Sequence, residues 1–414
     1  NKCTPGVHKR VTEENMRKLN KTAACGILAA ALAAGTLSGC SKAIDGTKTV
    51  ATVGDEKVTL GLASYMVRDQ QAQTMSYYNM LMSQYGVSGS ASNVWDQKGD
   101  DGKTVGESSK DGVMTTINQL YVLKAHAADY DVTITDDEEK AIKEAAAEFI
   151  KDNDEKILKK LAVSEDDIVT YLELVTIRSK MHDPMTADVD TEVSANEKDQ
   201  TRVTIVKVST EGTEKDDDGN TIDLTDEEKA QKKDLAQQVL DKVKASDDVA
   251  NADMDALAKE VDDSLSATAP AFTTAGDTDD TLDEAVQDAA LELKDGEVAD
   301  KVIEGDDGYY VVRLDKMLDE DATENKEKTV ISERKSDLFD STLEDWVKEE
   351  KIKVKDKVWD QITVTDSVSF VYKSADSSDD TKSSDVQDST EDTSSQDNSE
   401  DTTTEDTAAE DSAE

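Results

Sequence analysis

Leu293-Lys294-Asp295-Gly296-Glu297-Val298, followed by Gly308-Tyr309-Tyr310-Val311-Val312-Arg313-Leu314, is the stretch on which the fold turns. Its second half is rich in β-branched and aromatic residues and reads as a strand. A matching strand lies far upstream, in the alternating run Val203-Thr204-Ile205-Val206-Lys207-Val208. Between the two come a polar insertion at 209–225, a helix over about 226–244, and shorter helices near 253–261 and 281–293. The pattern predicts an α/β domain over 201–318, with a small antiparallel sheet that opens and closes it.

Working outward, the N-terminal side is mostly helical. Thr49 to Val53 and Lys57 to Thr59 flank Gly54-Asp55, a turn dipeptide between two short strands. A helix from about Leu60 to Tyr85 follows, rich in methionine and tyrosine. Residues 86–112 are Gly-, Ser- and Asp-rich and read as a long loop. Three helices come next. Val113, Ile117, Leu120, Leu123 and Ala127 mark the first at helical spacing. Thr135 and Ser164, each followed by acidic residues, open the other two. The third should run to about Met181 and stop at His182-Asp183-Pro184, with a polar linker over 185–200. On the C-terminal side a helix at about 324–350 carries Ile331, Leu338, Phe339, Leu343, Trp346 and Val347 on its apolar side. Strand-like segments at Ile352 to Val354 and Ile362 to Val364 end the ordered part. The fold class expected is α+β: a helical domain of 49–185 and 324–365 together, plus the α/β domain.

Composition narrows the function. Against 47 basic side chains stand 94 acidic ones, a net charge of -47. Such a surface repels polynucleotides, so no nucleic-acid partner is expected. From Ser374 onward there are 15 acidic residues, one lysine and no aromatic, the composition of a disordered acidic tail over 374–414. Asp216-Asp217-Asp218-Gly219-Asn220 hints at a calcium loop. With Gly219 at loop position six, however, Thr225 falls where a bidentate glutamate is needed, and a polar turn is the simpler reading. The three histidines, His8, His126 and His182, are too scattered for a metal centre or a nucleophilic triad. No metal and no cofactor is expected.

The three cysteines, Cys3, Cys25 and Cys40, fall early. From Met16, which reads as a start after an upstream extension of 1–15, Arg17, Lys18 and Lys21 form a cationic segment. Ala23 to Ala34 then form a short apolar one. That run is shorter than the ~20 residues of a membrane-spanning helix. Leu37-Ser38-Gly39-Cys40 resembles the lipobox of bacterial lipoproteins. The expectation is a signal peptide over 16–39, diacylation of Cys40, a tether over 40–48 and a location on the outer face of the cytoplasmic membrane. Two acyl chains suffice for stable anchoring.

The layout as a whole resembles the extracytoplasmic foldases of the PrsA and SurA type, which join a helical chaperone domain to a parvulin-class peptidyl-prolyl isomerase domain. Val50 to Thr59 is similar to the opening hairpin of their chaperone domain, and 117–174 to its helical body. Leu293 to Val298 with Gly308 to Leu314 looks like the closing half of a parvulin domain. The returning helix with Lys351 to Val354 looks like the segment that packs back on the chaperone domain. The resemblance implies a foldase that holds unfolded or newly translocated polypeptides. It also implies a histidine on each of two strands shaping a proline pocket. Thr204 and Tyr310 stand at those positions here, and Thr268 to Asp280 replaces the family's glycine-rich segment.

Prolyl isomerisation breaks no bond, because its barrier of about 18–20 kcal/mol is amide resonance. A pocket that seats proline is therefore the essential part, and Phe272, Leu282, Val286 and Tyr310 are candidates for it, or else ordinary domain core. The Met66 to Tyr85 group has the same two readings, an adaptable client surface or core. His126 has no evident partner. The function expected is a membrane-anchored foldase whose isomerase domain has lost its usual histidines. A fully active isomerase rebuilt around Tyr310 and a solute-binding lipoprotein are the alternatives. The second would show two lobes of alternating strand and helix. A cell-surface adhesin would need repeats or a wall-sorting terminus, which the chain lacks.

Overall fold

Capping boxes decide where the helices beginning at residues 105, 136, 165 and 226 start. Thr104, Thr135, Ser164 and Thr225 each accept a backbone N–H three residues on, and Glu107, Glu138, Asp167 and Glu228 reach back to the cap N–H. The computed structural model describes residues 32–34, 44–84, 94–213, 215, 221–275 and 282–373. The part up to Tyr372 is one unit, and of the second only Lys373 is described.

In chain order the elements are β1 (Leu32–Ala34), β2 (Thr49–Val53), β3 (Glu56–Thr59) and the helices α1 (Leu60–Gln84), α2 (Val105–His126), α3 (Asp136–Asp152), α4 (Glu155–Leu161) and α5 (Glu165–Met185). Then come β4 (Gln200–Ser209), α6 (Asp226–Lys244), α7 (Met254–Lys259), β5 (Ala267–Thr268), β6 (Ala271–Thr273), α8 (Glu284–Leu291), β7 (Ile303–Glu304) and β8 (Gly308–Lys316). The chain closes with α9 (Glu320–Glu349), β9 (Ile352–Val354) and β10 (Phe370–Tyr372). Mixed helices and small antiparallel sheets make this an α+β protein.

The helical body draws on both ends of the chain. β2 pairs antiparallel with β3 and, on its other side, with β9, so that Ala51 faces Val354 and Val53 faces Ile352. One core joins Val50, Leu62, Tyr65, Ile117, Leu123, Ile142 and Leu172 to Phe339, Leu343, Trp359, Ile362 and Phe370 from the C-terminal segment. Tyr65 stands edge-on to both Phe149 and Tyr171.

The middle of the chain forms a five-stranded sheet ordered β5-β4-β8-β7, with β6 also paired to β4. Its register sets Ile205 opposite Val312 and Lys207 opposite Tyr310. Each face carries its own apolar cluster. Val206, Val208, Tyr309 and Val311 pack under α6 and α7. Val203, Ile205, Tyr310, Val312 and Leu314 pack under α8 and β6. The two crossings into and out of this sheet are tied together. Arg334 on α9 holds the carbonyls of Asp190 and Glu192 and the carboxylate of Glu197, while Gln200 N donates to Thr323 Oγ1 at 3.0 Å.

Several boundaries differ from the sequence reading. Residues 105–112 are helix, not loop, because the Thr104 capping box starts α2 there and Gly106 lets it lie against the backbone of Val364. α5 runs through Pro184 to Met185 instead of stopping near Met181. A separate helix, α4, stands between α3 and α5, capped by Asp154. Ile362 and Val364 are buried but form no strand; the last strand is β10. Leu32 to Ala34, assigned by sequence to the leader, forms a strand on β10. Cys40, Asp216 to Asn220 and the tail from Ser374 lie outside the described residues. The run of helices over 105–185 is not the alternation that two α/β lobes would require.

Candidate functional site

Strand periodicity sorts the sequence candidates onto two faces of the sheet. Tyr310 shares its face with Val312 and Leu314, and with Val203 and Ile205 across on β4. Thr204 points the other way. It lies opposite Arg313, and its Oγ1 donates to Asp315 Oδ2 at 2.6 Å while accepting from Arg313 Nη2 at 3.3 Å. Two residues that shape one pocket must share a face, and the β4 residues on the face of Tyr310 are Val203, Ile205 and Lys207, not Thr204. Thr204 and Tyr310 therefore do not line one pocket, since in a strand a step of one residue reverses the face.

The four pocket candidates do come together. Phe272, Leu282, Val286 and Tyr310 all belong to the cluster under α8, at 0%, 8%, 0% and 4% exposure. All four are buried in one apolar cluster, as domain core would be. Gly305 closes the ring edge of Tyr310, since a Cβ there would stand 2.8 Å from Tyr310 Cε2 and 2.4 Å from Asp283 Oδ2. Asp283 caps α8 through Ala285 N and also accepts from Asp306 N at 2.7 Å, which fixes the loop over that edge.

The Tyr310 hydroxyl is engaged as well. It donates to Asp307, whose other oxygen pairs with Lys207, and the Lys207 ammonium lies 5.9 Å from the Tyr310 ring centroid. Burial, then the hydrogen bond and charge of Asp307, pushes the phenol well above its ordinary pKa. Lys207 and then Tyr310 hold the Asp307 carboxyl below the usual carboxylate range. This trio carries a neutral phenol against a fixed ion pair. The ring of Tyr310 lies inside the sheet, while Lys207 and Asp307 remain 36% and 43% exposed.

On the opposite face Arg313, 9% exposed, donates to the carbonyls of Ala252 and Val249, at 2.8 and 3.3 Å, and so pins the 249–252 turn to the sheet. A polar cavity of about 490 Å³ opens beside it, lined by Arg202, Asn251, Asp315, Lys316 and Asp319. Arg202 pairs with Asp319, and that pairing lowers the Asp319 carboxyl. Among the described residues no group of three or more His, Cys, Asp or Glu side chains is arranged to hold a metal ion.

The helical body presents a different surface. Met66 and Met75 of the methionine–tyrosine group are core, at 8% and 5% exposure. Toward the end of α1 the helix leaves the core, and Tyr77 and Met80 are each 62% exposed, with Tyr78, Leu81 and Met82 half-buried beside them. A cleft of about 510 Å³ lies between α1 and α2, lined by Gln70, Thr74, Trp95, Val105, Val113 and Thr116. Tyr77 follows Thr74 by one turn. Trp95 is 1% exposed, and its Nε1 has no hydrogen-bond partner. His126 and His182 prove to be structural, stacked at 4.1 Å on Trp346 and tilted at 5.5 Å against Phe339, so that both grip α9.

Residues 215–328 match the family model of the PPIC-type PPIase domain. The chain carries a PPIC-type parvulin domain. A search of curated proteins finds no match. Among solved structures, the chain is similar to the foldase PrsA of Lactococcus lactis, at 14% identity and a TM-score of 0.30, covering 75% of this chain and 96% of that one. It is similar to the peptidylprolyl isomerase PrsA of Bacillus cereus, at 20% identity and 0.28, covering 65% and 96%. It is also similar to a Campylobacter jejuni protein from a study of the two SurA-like chaperones PEB4 and Cj1289. There the identity is 10% and the TM-score 0.25, over 74% and 99%. No helix among the described residues is long and apolar enough to cross a membrane. Of the two readings of the Met66 to Tyr85 group, the structure makes Met66 and Met75 core and leaves Tyr77 and Met80 exposed, whereas the sequence reading missed the Lys207–Asp307–Tyr310 trio. The trio's one signal was an acidic residue, Asp307, three before a tyrosine on a strand.

Proposed function

We propose that this protein is an extracytoplasmic foldase, tethered to the outer face of the cytoplasmic membrane by lipid on Cys40, that holds unfolded and newly translocated polypeptides while they fold. In this reading the PPIC-type domain serves as a rigid binding module with little or no isomerase activity. The observation that carries the chaperone role is the uncovered end of α1. Exposed large apolar groups together on one helix end mark an interaction surface. Tyrosine and methionine suit varied apolar clients, because the thioether is flexible and the phenol tolerates water. The net charge of -47 keeps such a surface from self-association by mutual repulsion.

The burial of Phe272, Leu282, Val286 and Tyr310 in one apolar cluster supports a module without turnover. The test is a Tyr77→Ser/Met80→Ser double variant in an aggregation-suppression assay with an unfolded model protein. The reading expects suppression to fall by at least half with unchanged thermal unfolding, since both side chains are exposed. Full suppression by the double variant would remove the α1 end from the mechanism. A rebuilt, fully active isomerase predicts instead rapid prolyl isomerisation that depends on Tyr310.

A further inference from the structure

The strand β1 occupies a seat that removal of the leader would empty. Leu32, Ala33 and Ala34 pair antiparallel with Tyr372, Val371 and Phe370. Leu32 is 3% exposed and belongs to the main core, and its N–H donates to Asn153 Oδ1 at 2.9 Å. Asn153 is itself 7% exposed and held in place by its Nδ2 donating to Phe149 O at 2.8 Å, where it terminates α3. The strand runs beside α4.

The floor of this seat does not depend on β1. Phe370 is 1% exposed, with the Arg68 guanidinium 5.1 Å from its ring centroid. Tyr372 donates its hydroxyl to Asp69 at 3.0 Å, and Gln71 Nε2 donates to Val368 O at 2.7 Å. β10 is therefore fastened to α1 from the side away from β1. β1 and β10 form a two-stranded sheet of their own, so losing one strand leaves the other with an open edge. It also leaves a leucine-sized slot and a buried amide oxygen without its donor. An unpaired edge with a side-chain pocket is a template for strand addition.

We infer that the β10 edge is a peptide-binding groove that accepts an extended, uncharged strand of small and apolar residues antiparallel to Phe370–Tyr372. One leucine-sized side chain enters the slot beside α4. In the unprocessed chain the leader fills the groove in cis; in the chain cut before Cys40 a segment of a client polypeptide fills it. The client role rests on the foldase reading above, whereas peptide capture by the groove does not.

The test compares the chain from residue 41 to 414 with the chain from residue 16 to 414. A fluorescein-labelled peptide of the sequence of residues 27–36, ILAAALAAGT, is titrated against each, with hydrogen exchange read at the 370–372 amides. The groove predicts that the shorter chain binds the peptide at least about tenfold more tightly and gains protection at 370–372 on binding. A peptide carrying Leu32→Asp should bind about tenfold to a hundredfold more weakly, the loss expected for one buried leucine. One carrying Ala33→Pro should be weakened similarly. Equal binding by the two chains, an indifferent Leu32→Asp peptide, or a shorter chain that binds nothing would each overturn the inference. So would a shorter chain that fails to fold, because β1 would then be core and not an occupant. Peptide capture without aggregation suppression would uphold the groove and sink the foldase reading.

Discussion

If Tyr310 is core and not catalyst, truncating it should unfold the sheet it sits in, while removing its hydroxyl should do little. The ring is 4% exposed among Phe272, Leu282, Val286 and Val312, so Tyr310→Ala leaves a cavity the size of an aromatic ring. A buried aromatic cut to alanine costs about 3–5 kcal/mol, a large share of the roughly 5–15 kcal/mol that holds a domain together. Tyr310→Phe keeps the ring and loses one hydrogen bond to an Asp307 that still has Lys207, at a cost of about 1 kcal/mol. The assay needs two probes. Trp95, Trp346 and Trp359 all belong to the helical body or its return helix, so their fluorescence in urea follows that part. Hydrogen exchange in peptides covering β4 and β8 follows the sheet. The expected result is loss of sheet protection worth about 3–5 kcal/mol in Tyr310→Ala, against about 1 kcal/mol in Tyr310→Phe. A Tyr310→Ala change under about 1 kcal/mol would refute the reasoning, because no filled core position tolerates such a loss.

The phenol of Tyr310 should resist ionisation. Its folded pKa lies above the unfolded value, so its contribution to stability is whole below the ordinary phenol range and is lost as pH rises through the raised value. Difference absorbance of wild type against Tyr310→Phe should show one tyrosine titrating late, and a normal midpoint would contradict the buried hydroxyl. Gly106→Ala should destabilise although it sits in a helix, where alanine ordinarily gains up to about 1 kcal/mol. A Cβ there would stand 2.1 Å from Val364 O, and a raised melting temperature would count against the close approach of α2 to the C-terminal segment. Arg334→Ala removes the clamp on Asp190, Glu192 and Glu197, and should widen spin-label distance distributions between α5 and β8 with little change in melting temperature. Unbroadened distributions would show that the crossing is held by other contacts.

How far the sequence could be read depended on whether a feature is local. Thr135, Ser164 and Thr225 announce their helices because a capping box is closed within four residues. The same signal at Thr104-Val105-Gly106-Glu107 was lost in a Gly- and Ser-rich stretch, since Gly106 lowers helix propensity and its reason, Val364, is remote in sequence. Pro184 looked like a stop, yet only its own N–H is missing and the last turn of α5 closes without it. The pocket candidates were correctly drawn to one cluster by hydrophobicity. Thr204 was set on the face of Tyr310 because pairing register cannot be read from one strand alone. The role of Leu32 to Ala34 was hidden for a different reason. An apolar leader and an apolar strand share one composition, and only the partner, β10, distinguishes them.

The most direct test of the account measures prolyl isomerisation in a protease-coupled assay on the chain from residue 41 onward. Suppression of aggregation of an unfolded protein is measured on the same sample. The account predicts suppression together with isomerisation no faster than the uncatalysed reaction, because Phe272, Val286 and Tyr310, the residues expected to line a proline pocket, are buried together in one apolar cluster. Clear catalysis that is abolished in the stable Tyr310→Phe variant would contradict it and make Tyr310 the centre of a rebuilt active site.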